Sequence, residues 1–566
     1  MAERDIYKDW LKNTQNDDEQ TYAELMAIND DDESVNDRFY KDLHFGTGGL
    51  RGVMAAGTNR INRYSIARAS AGLAVFLLKE YRGQTFPSVA IAYDSRRNSA
   101  LYAKIAAQVL SGYGVRVYLY DSLRPTPQLS FTIRHLACDA GIVITASHNP
   151  KQYNGFKVYG SDGGQITSLM ANQILKEIQC LDYFSPLKRQ IREDLIEIIG
   201  SQIDEAYYRE VLNLMSSLSL HPSTDIWLVY TPVHGSGNVP VQEVLRRMGF
   251  DQVFVVESQQ QPDGDFPTVV SPNPENHEVF EHAIELASRV GADVIFATDP
   301  DCDRVGVAVA DKDGRYQLLN GNQIGALLVN YMTSVKNPVT SRDAVIKTIV
   351  TSSLGAKIAS SVGATVVETL TGFKYIGEKI KEFESDGNHD FLFGYEESYG
   401  YLAGTFVRDK DAVIASALIA LMAADAKNQN MTLLDILEQL YQKFGYYYDH
   451  LESFEFHGMS GAKKIVDSVG RFRNVDLIMN HFSGVRFIED FDQQLRYDLK
   501  LNQTSTIDLP KENVIKIIFD DQSWVAIRPS GTEPKLKIYY SVISDDPSDC
   551  LLKFEKIKGV VHQMLM

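Results

Sequence analysis

The sequence is poor in cysteine. Its four cysteines, Cys138, Cys180, Cys302 and Cys550, form no Cys-x-x-Cys pair and no repeated spacing. That argues against a disulfide framework and against a zinc site. Long apolar runs are missing too. The longest, Ala412 to Ala424, has 13 residues between Asp411 and Asp425, too short to span a bilayer and suited to a buried helix. The opening residues, MAERDIYKDW, are charged throughout and lack the apolar centre of a signal peptide. Basic residues are in deficit: 56 Lys plus Arg against 74 Asp plus Glu leave a net charge of −18. A nucleic-acid binder of this size shows the opposite bias. The expectation is a soluble, cytoplasmic protein with no nucleic-acid or membrane partner. A local positive pocket for a small anion remains compatible with the overall acidity.

At about 100–200 residues per domain, 566 residues predict three to five domains. A hydrophobic share of 44% and a charged share of 23% fit a globular chain. Residues 1 to about 40 read as a solvated helical lead-in with acidic runs at 17–19 and 30–33. Helical spacing follows from Ile61 to Lys79, then a buried strand at 87–95, a helix from Ala100 to Tyr113, and strands at 115–120 and 142–145. The alternation restarts at Ile226 and again at Ala344. Three doubly wound α/β domains with parallel sheets are expected. Strand-like segments at 514–519, 524–527 and 535–542 and a helix from Pro547 suggest a smaller C-terminal α+β domain. The polar stretch 446–460 reads as a linker, and the expected domains are 1–205, 206–320, 321–445 and 446–566.

Five loops carry chemistry. Ser147, in Thr145-Ala146-Ser147-His148-Asn149-Pro150, follows an apolar strand and is either a nucleophile or a loop-capping serine. Adjacent Ser and His on a loop are not expected to pair, and the Gly-x-Ser-x-Gly elbow is absent. Lys157 is close enough in sequence to reach the same point. Asp299, Asp301 and Asp303, read as an extended segment, would point one way and converge. Three such carboxylates suit a hard cation such as Mg2+, or they cap a turn. An EF-hand is excluded, because Arg304 stands where that loop needs Gly and Ala310 where it needs Glu. Arg528, Ser530, Gly531, Thr532 and Lys535 make a phosphate-type nest. The acidic, aromatic segment 394–398 fits sugar hydroxyls. Phe45 to Gly52 resembles a phosphate cradle without being a Walker A loop.

The five loops in this order resemble the α-D-phosphohexomutase superfamily, in its phosphoglucomutase/phosphomannomutase group, from about residue 41 to the end. The resemblance implies three related α/β domains and a smaller C-terminal one around a central cleft, with Ser147 carrying a phosphoryl group and Asp299, Asp301 and Asp303 holding Mg2+ with a phosphoserine oxygen. It implies that Arg304, His148 and Lys157 line the reacting phosphate and that Arg51 lies close to the phosphoserine. Glu396 and Ser398 would bind sugar hydroxyls, and Arg528, Ser530, Gly531 and Thr532 the non-reacting phosphate. Lys410 is the implied general acid/base. The substrate class is a sugar phosphate, with a sugar 1,6-bisphosphate as intermediate and activator.

Two departures, Tyr395 before the glutamates and the Gly48-Gly49 pair, look like the branch with phosphopentomutases and glucose-1,6-bisphosphate synthases. They bear on the sugar: mannose, pentose and bisphosphate-forming activities stand beside glucose. A metal-dependent phosphatase would have no use for the distal loop.

Overall fold

The computed structural model describes residues 2–46, 48–83, 86–218, 224–456, 458–529 and 535–565. The acidic leader is helical but not merely solvated. Helices Ala2–Thr14, Glu19–Met26 and Asp32–Phe39 bury Tyr7, Trp10, Leu25, Val35 and Phe39 against Tyr64. Two of the acids act as caps: Asp18 accepts from Thr21 N and Asp31 from Ser34 N, each a helix start. The charge runs hid sparse apolar residues at helical spacing.

The first unit holds a six-stranded sheet. Strands Ser88–Tyr93, Arg116–Tyr120, Ala140–Ile144 and Ile196–Ile199 run parallel. Tyr153–Gly160 and Gly49–Val53 then add antiparallel at one edge, so the sheet is mixed rather than wholly parallel. Loop length explains it. The residues between Ile144 and Tyr153 are too few for a parallel crossover. The same happens twice more. In the second unit, Val294–Thr298 is parallel to Leu228–Thr231 and antiparallel to Val305–Ala310. In the third, Asp390–Glu396 is parallel to Asp343–Thr348 and antiparallel to Gly400–Leu402. The loops that carry Ser147, Asp299 to Asp303, and Glu396 to Ser398 are therefore equivalent turns, each at the carboxyl end of a parallel strand, where ligands of open α/β sheets bind.

The fourth unit is a seven-stranded antiparallel sheet with helices. Its first strand, Tyr446–Glu455, pairs along its whole length with Lys535–Ser544. The expected linker there is thus a strand, whose polar residues alternate outward at an edge. Helices Gly458–Arg473 and Pro547–Leu565 pack on the sheet, and Val469, Phe472, Phe554 and Val561 fill its own core. The first three units share one continuous core that includes helix Ala412–Asn428, buried as expected. Among the described residues no helix is long and apolar enough to cross a membrane.

Candidate active site

Strand Ala140–Ile144 is buried at every residue and feeds the serine loop. Ser147 is 3% exposed and has φ 52°, a left-handed conformation that costs a residue with a Cβ about 1–2 kcal/mol. Its Oγ donates to Asp299 Oδ2 of the second unit at 2.7 Å. His148 Nδ1 lies 3.1 Å from the same oxygen. The adjacent Ser and His therefore do pair, at a position where the backbone is left-handed. Burial first, then the Arg304 and Arg51 guanidiniums, hold the His148 pKa well below its ordinary value, so its imidazole is neutral.

The aspartate loop, residues 299–304, is a tight turn, not an extended segment. Cys302 has φ 53°, its N–H bonds Asp299 O at 2.9 Å, and Asp299 Oδ1 accepts from Asp303 N and Arg304 N at 3.1 and 3.0 Å. Convergence holds for a different reason than strand alternation: the turn brings one oxygen of each of Asp299, Asp301 and Asp303 within 4.8 Å of the others. Asp299 caps the turn with one oxygen and faces Ser147 with the other. Thr126 and Lys157 both donate to Asp301 Oδ2 at 2.9 Å. The Oδ1 atoms of Asp301 and Asp303 are buried without a hydrogen-bond partner, a costly state for a carboxylate oxygen. Burial, then repulsion from Asp301 and Asp303, push the Asp299 pKa well above the carboxylate range. An oxygen-only set with bare, buried, mutually repelling carboxylates fits a hard divalent cation.

Cations from the other units close around this trio. Lys157, on the strand returning from the serine loop, also lies 3.6 Å from Asp303 Oδ2. Lys410 Nζ is 3.1 Å from Asp303 Oδ2 and 3.0 Å from Asp409 Oδ1. Burial pulls its pKa down, but these two carboxylates raise it further, so it is an ammonium. Its stem crosses Gly400, where a Cβ would come within 2.1 Å of Lys410 Cδ; only glycine permits that approach. Glu396 accepts from Gly372 N at 3.0 Å, and burial pushes its carboxyl up to about 7. Ser398 is half-buried two residues on. Arg304 Nη1 pairs with Glu275 Oε1 at 3.0 Å. Arg51 is exposed on the edge strand, and its Nη1 donates to Asn149 Oδ1 at 3.1 Å.

Arg528 stands apart. It is half-buried, with Nε 2.9 Å from Glu512 Oε1. Ser530, Gly531, Thr532 and Thr47 lie outside the described residues. Lys537, opposite Arg528 in register, links the two ends: it is surrounded by Glu275, Arg304 and Arg528, and burial lowers its pKa.

Models of the phosphoglucomutase/phosphomannomutase family match the chain in order. The alpha/beta/alpha domain I covers residues 42–183, domain II 205–314, domain III 320–444 and the C-terminal domain 490–547. The chain belongs to this family. A phosphoglucomutase of Staphylococcus epidermidis is 40% identical over 509 residues, 89% of this chain and 91% of that one. One from Staphylococcus aureus is 39% identical over 519 residues, 91% and 92% of the two chains. In fold, the chain is similar to the open form of parafusin, a phosphoglucomutase from Paramecium, with a TM-score of 0.69, 19% identity and coverage of 93% and 96%.

In this phosphohexomutase-family chain the leader precedes the first matched domain, and the strand at 446–455 falls between the third and fourth. The structure brings together Ser147, His148, Lys157, the three aspartates, Arg304, Lys410 and Glu396, with Arg51 at the rim. Motif reading passed over Thr126, Glu275, Asp409 and Lys537. Lys537 had a signal: Lys535 and Lys537 alternate on a strand directly after the phosphate-type loop. Thr126 and Glu275 had none, being single polar residues far from any motif.

Proposed function

We propose that this phosphohexomutase interconverts glucose 1-phosphate and glucose 6-phosphate in the cytoplasm, carrying the phosphoryl group on Ser147. One observation supports this most: Ser147 Oγ, from the first unit, rests on Asp299 Oδ2 of a buried cation-binding trio in the second. The four domains of the proposal divide near residues 205, 320 and 445.

Mg2+ would be held by Asp299, Asp301 and Asp303 together with Ser147's phosphate, where it offsets the charge of the transferring group. The chain's own groups do the rest. The free sugar hydroxyl attacks the phosphorus, the bond to Ser147 Oγ breaks, and the sugar becomes a 1,6-bisphosphate. One proton passes from that hydroxyl to the serine oxygen. The protonation states of this structure suit the return transfer, in which the neutral His148 takes the proton of the attacking Ser147 and the Lys410 ammonium gives one to the leaving sugar oxygen. The first transfer uses the same two groups in the opposite protonation states. Lys157, Arg304 and Arg51 offset the phosphate charge. Glu396 and Ser398 bind sugar hydroxyls, and Arg528 with Ser530, Gly531 and Thr532 anchors the other phosphate. The bisphosphate then turns over in the cleft and returns its second phosphate to Ser147. Supplied from outside, the same bisphosphate restores a serine that has lost its phosphate.

The test is a panel of glucose, mannose, glucosamine and ribose 1-phosphates with the matching bisphosphates, alongside intact mass. Glucose 1-phosphate should turn over fastest, and the protein should carry a removable phosphate of about 80 Da at Ser147. Faster turnover of ribose 1-phosphate would move the assignment to pentoses. Steady release of inorganic phosphate would make the chain a phosphatase.

A further inference from the structure

Ser147 holds a backbone conformation that its own Cβ resists, and two residues outside the five loops impose it. Arg96 follows strand Ser88–Tyr93 and is 3% exposed. Its Nη2 donates to the carbonyl oxygens of Ser147 and Asn149, and its Nη1 to those of Pro150 and Tyr153 at 3.0 and 3.2 Å. One guanidinium thus gathers four carbonyls of the serine loop and its exit. Asp94 lies 3.3 Å from Arg96 Nε and accepts from Thr145 Oγ1 at 2.6 Å. Thr145 Oγ1 accepts in turn from Ser147 N at 2.7 Å. Both backbone polar groups of Ser147 therefore end on one buried ion pair, the carbonyl directly and the N–H through Thr145. From the second unit, the Phe266 ring covers the guanidinium at 5.0 Å, and Ser271 Oγ donates to His148 O at 2.8 Å.

A buried ion pair is weak evidence for stability, because desolvation offsets its attraction. A strained backbone angle, by contrast, persists only where the surroundings over-determine it. We propose that Arg96 is a positioning residue for phosphoryl transfer: through the carbonyls it gathers, it fixes Ser147 Oγ against Asp299. This rests on the reading of Ser147 as the carrier. Lysine cannot substitute, since a single ammonium cannot reproduce a planar fork reaching four acceptors. Misplacing a reacting atom by about 1 Å costs on the order of 10²-fold in rate. The loss should fall equally on every acceptor, because the sugar and its distal phosphate are held by other residues.

The experiment loads wild type, Arg96→Lys and Thr145→Val with phosphate from glucose 1,6-bisphosphate. It follows single-turnover loss of that phosphate, per phosphoserine, to glucose 6-phosphate and to unphosphorylated glucose. Arg96→Lys should slow both acceptors by a similar factor, on the order of 10²-fold. Thr145→Val, which leaves the ion pair in place, loses the hydrogen bonds to Asp94 and from Ser147 N and should slow both by about tenfold or somewhat more. It decides the matter if Arg96→Lys does not fold. Affinity for glucose 6-phosphate, by calorimetry, should stay within about threefold of wild type in both. A residue that merely supports the fold would lower melting temperature and yield but leave the rate per phosphoserine unchanged; that result overturns the proposal. If wild type accepts no phosphate on Ser147, it is the carrier reading that fails.

Discussion

The two ends of the proposed substrate meet very different parts of this chain. At the reacting end, three units are stitched together through buried polar contacts. Ser147 meets Asp299, Thr126 and Lys157 meet Asp301, Lys410 meets Asp303, and Tyr159 donates to Asp409 at 2.7 Å. Beneath them runs one shared core. At the distal end, Arg528 is half-buried and paired with Glu512, on a unit that keeps its own core. That unit meets the third through a seam of Ile349, Val350 and Leu370 against Phe491, Val514, Trp524 and Tyr539, and adds only Tyr447 and Ile543 to the buried side chains of the shared core. The difference fits what each end is proposed to do. Phosphoryl transfer tolerates little displacement, whereas an anchor that must accept the 1-phosphate and the 6-phosphate in turn needs slack.

If this division is right, damage at the reacting end should appear in kcat and damage at the distal end in KM. The largest effect belongs to Ser147→Ala. Turnover should fall by on the order of 10⁴-fold or more, the scale of losing a catalytic nucleophile, with an unchanged melting temperature. Turnover near wild type would break the comparison at its first term. Next comes Asp301→Asn. Outer-shell changes alone cost metal sites about 10–100-fold, so removing a ligand charge should weaken Mg2+ by at least that much and lower kcat with it. Calorimetric titration with Mg2+ reads the first, and full activity in EDTA would contradict both.

The reacting end was largely legible in the sequence, because each loop packs its chemistry into a short contiguous motif. Ser147, the three aspartates, Lys157 and Glu396 came from neighbouring letters, Lys410 came from the family resemblance, and all met across units. What was not legible depends on distant pairing. Asp299 caps a turn that strand alternation could not show, and Thr126 reaches Asp301 from another unit. The Tyr446–Glu455 strand looked like a linker because its polar face is outward and its partner lies some ninety residues away. The leader's core was masked for a similar reason: a few apolar residues among acids carry little weight until three helices bring them together. The antiparallel edge strands follow from loop lengths that the sequence did contain.

At the distal end the effects should be smaller and of another kind. Arg528→Ala should raise KM about 10–100-fold in both directions of the reaction, the worth of a charge-assisted hydrogen bond, with a lesser change in kcat. Lysine there should rescue poorly, because a point charge lacks the fork. Steady-state kinetics from glucose 1-phosphate and from glucose 6-phosphate decide it. A kcat loss as deep as that of Asp301→Asn, at constant KM, would erase the distinction between the two ends.

The seam supplies the smallest and sharpest test. Asp449, on strand Tyr446–Glu455, stands opposite Ser541, with Ser352 and Lys347 of the third unit facing it. Its Oδ1 is buried without a hydrogen-bond partner, as are the hydroxyls of Tyr395 and Tyr447, which lie close enough to feel its charge. Burial outweighs the serine and lysine contributions and pushes its carboxyl from 3.8 up to about 6. A raised value means that the folded protein holds this proton more tightly than the unfolded chain. The associated stability is therefore fully present below about pH 4 and is lost as pH rises through about 6. At about 1.4 kcal/mol for each pH unit, it amounts to no more than about 3 kcal/mol. Asp449→Asn keeps the shape and removes the titration. Melting temperatures of the two proteins should accordingly diverge between about pH 4 and 6, with wild type falling relative to the variant, and run parallel above about pH 7. Curves that stay parallel throughout would detach Asp449 from the stability of the seam. Divergence with an unchanged kcat would show that the junction holding the anchor can be loosened without disturbing the end where phosphate is transferred.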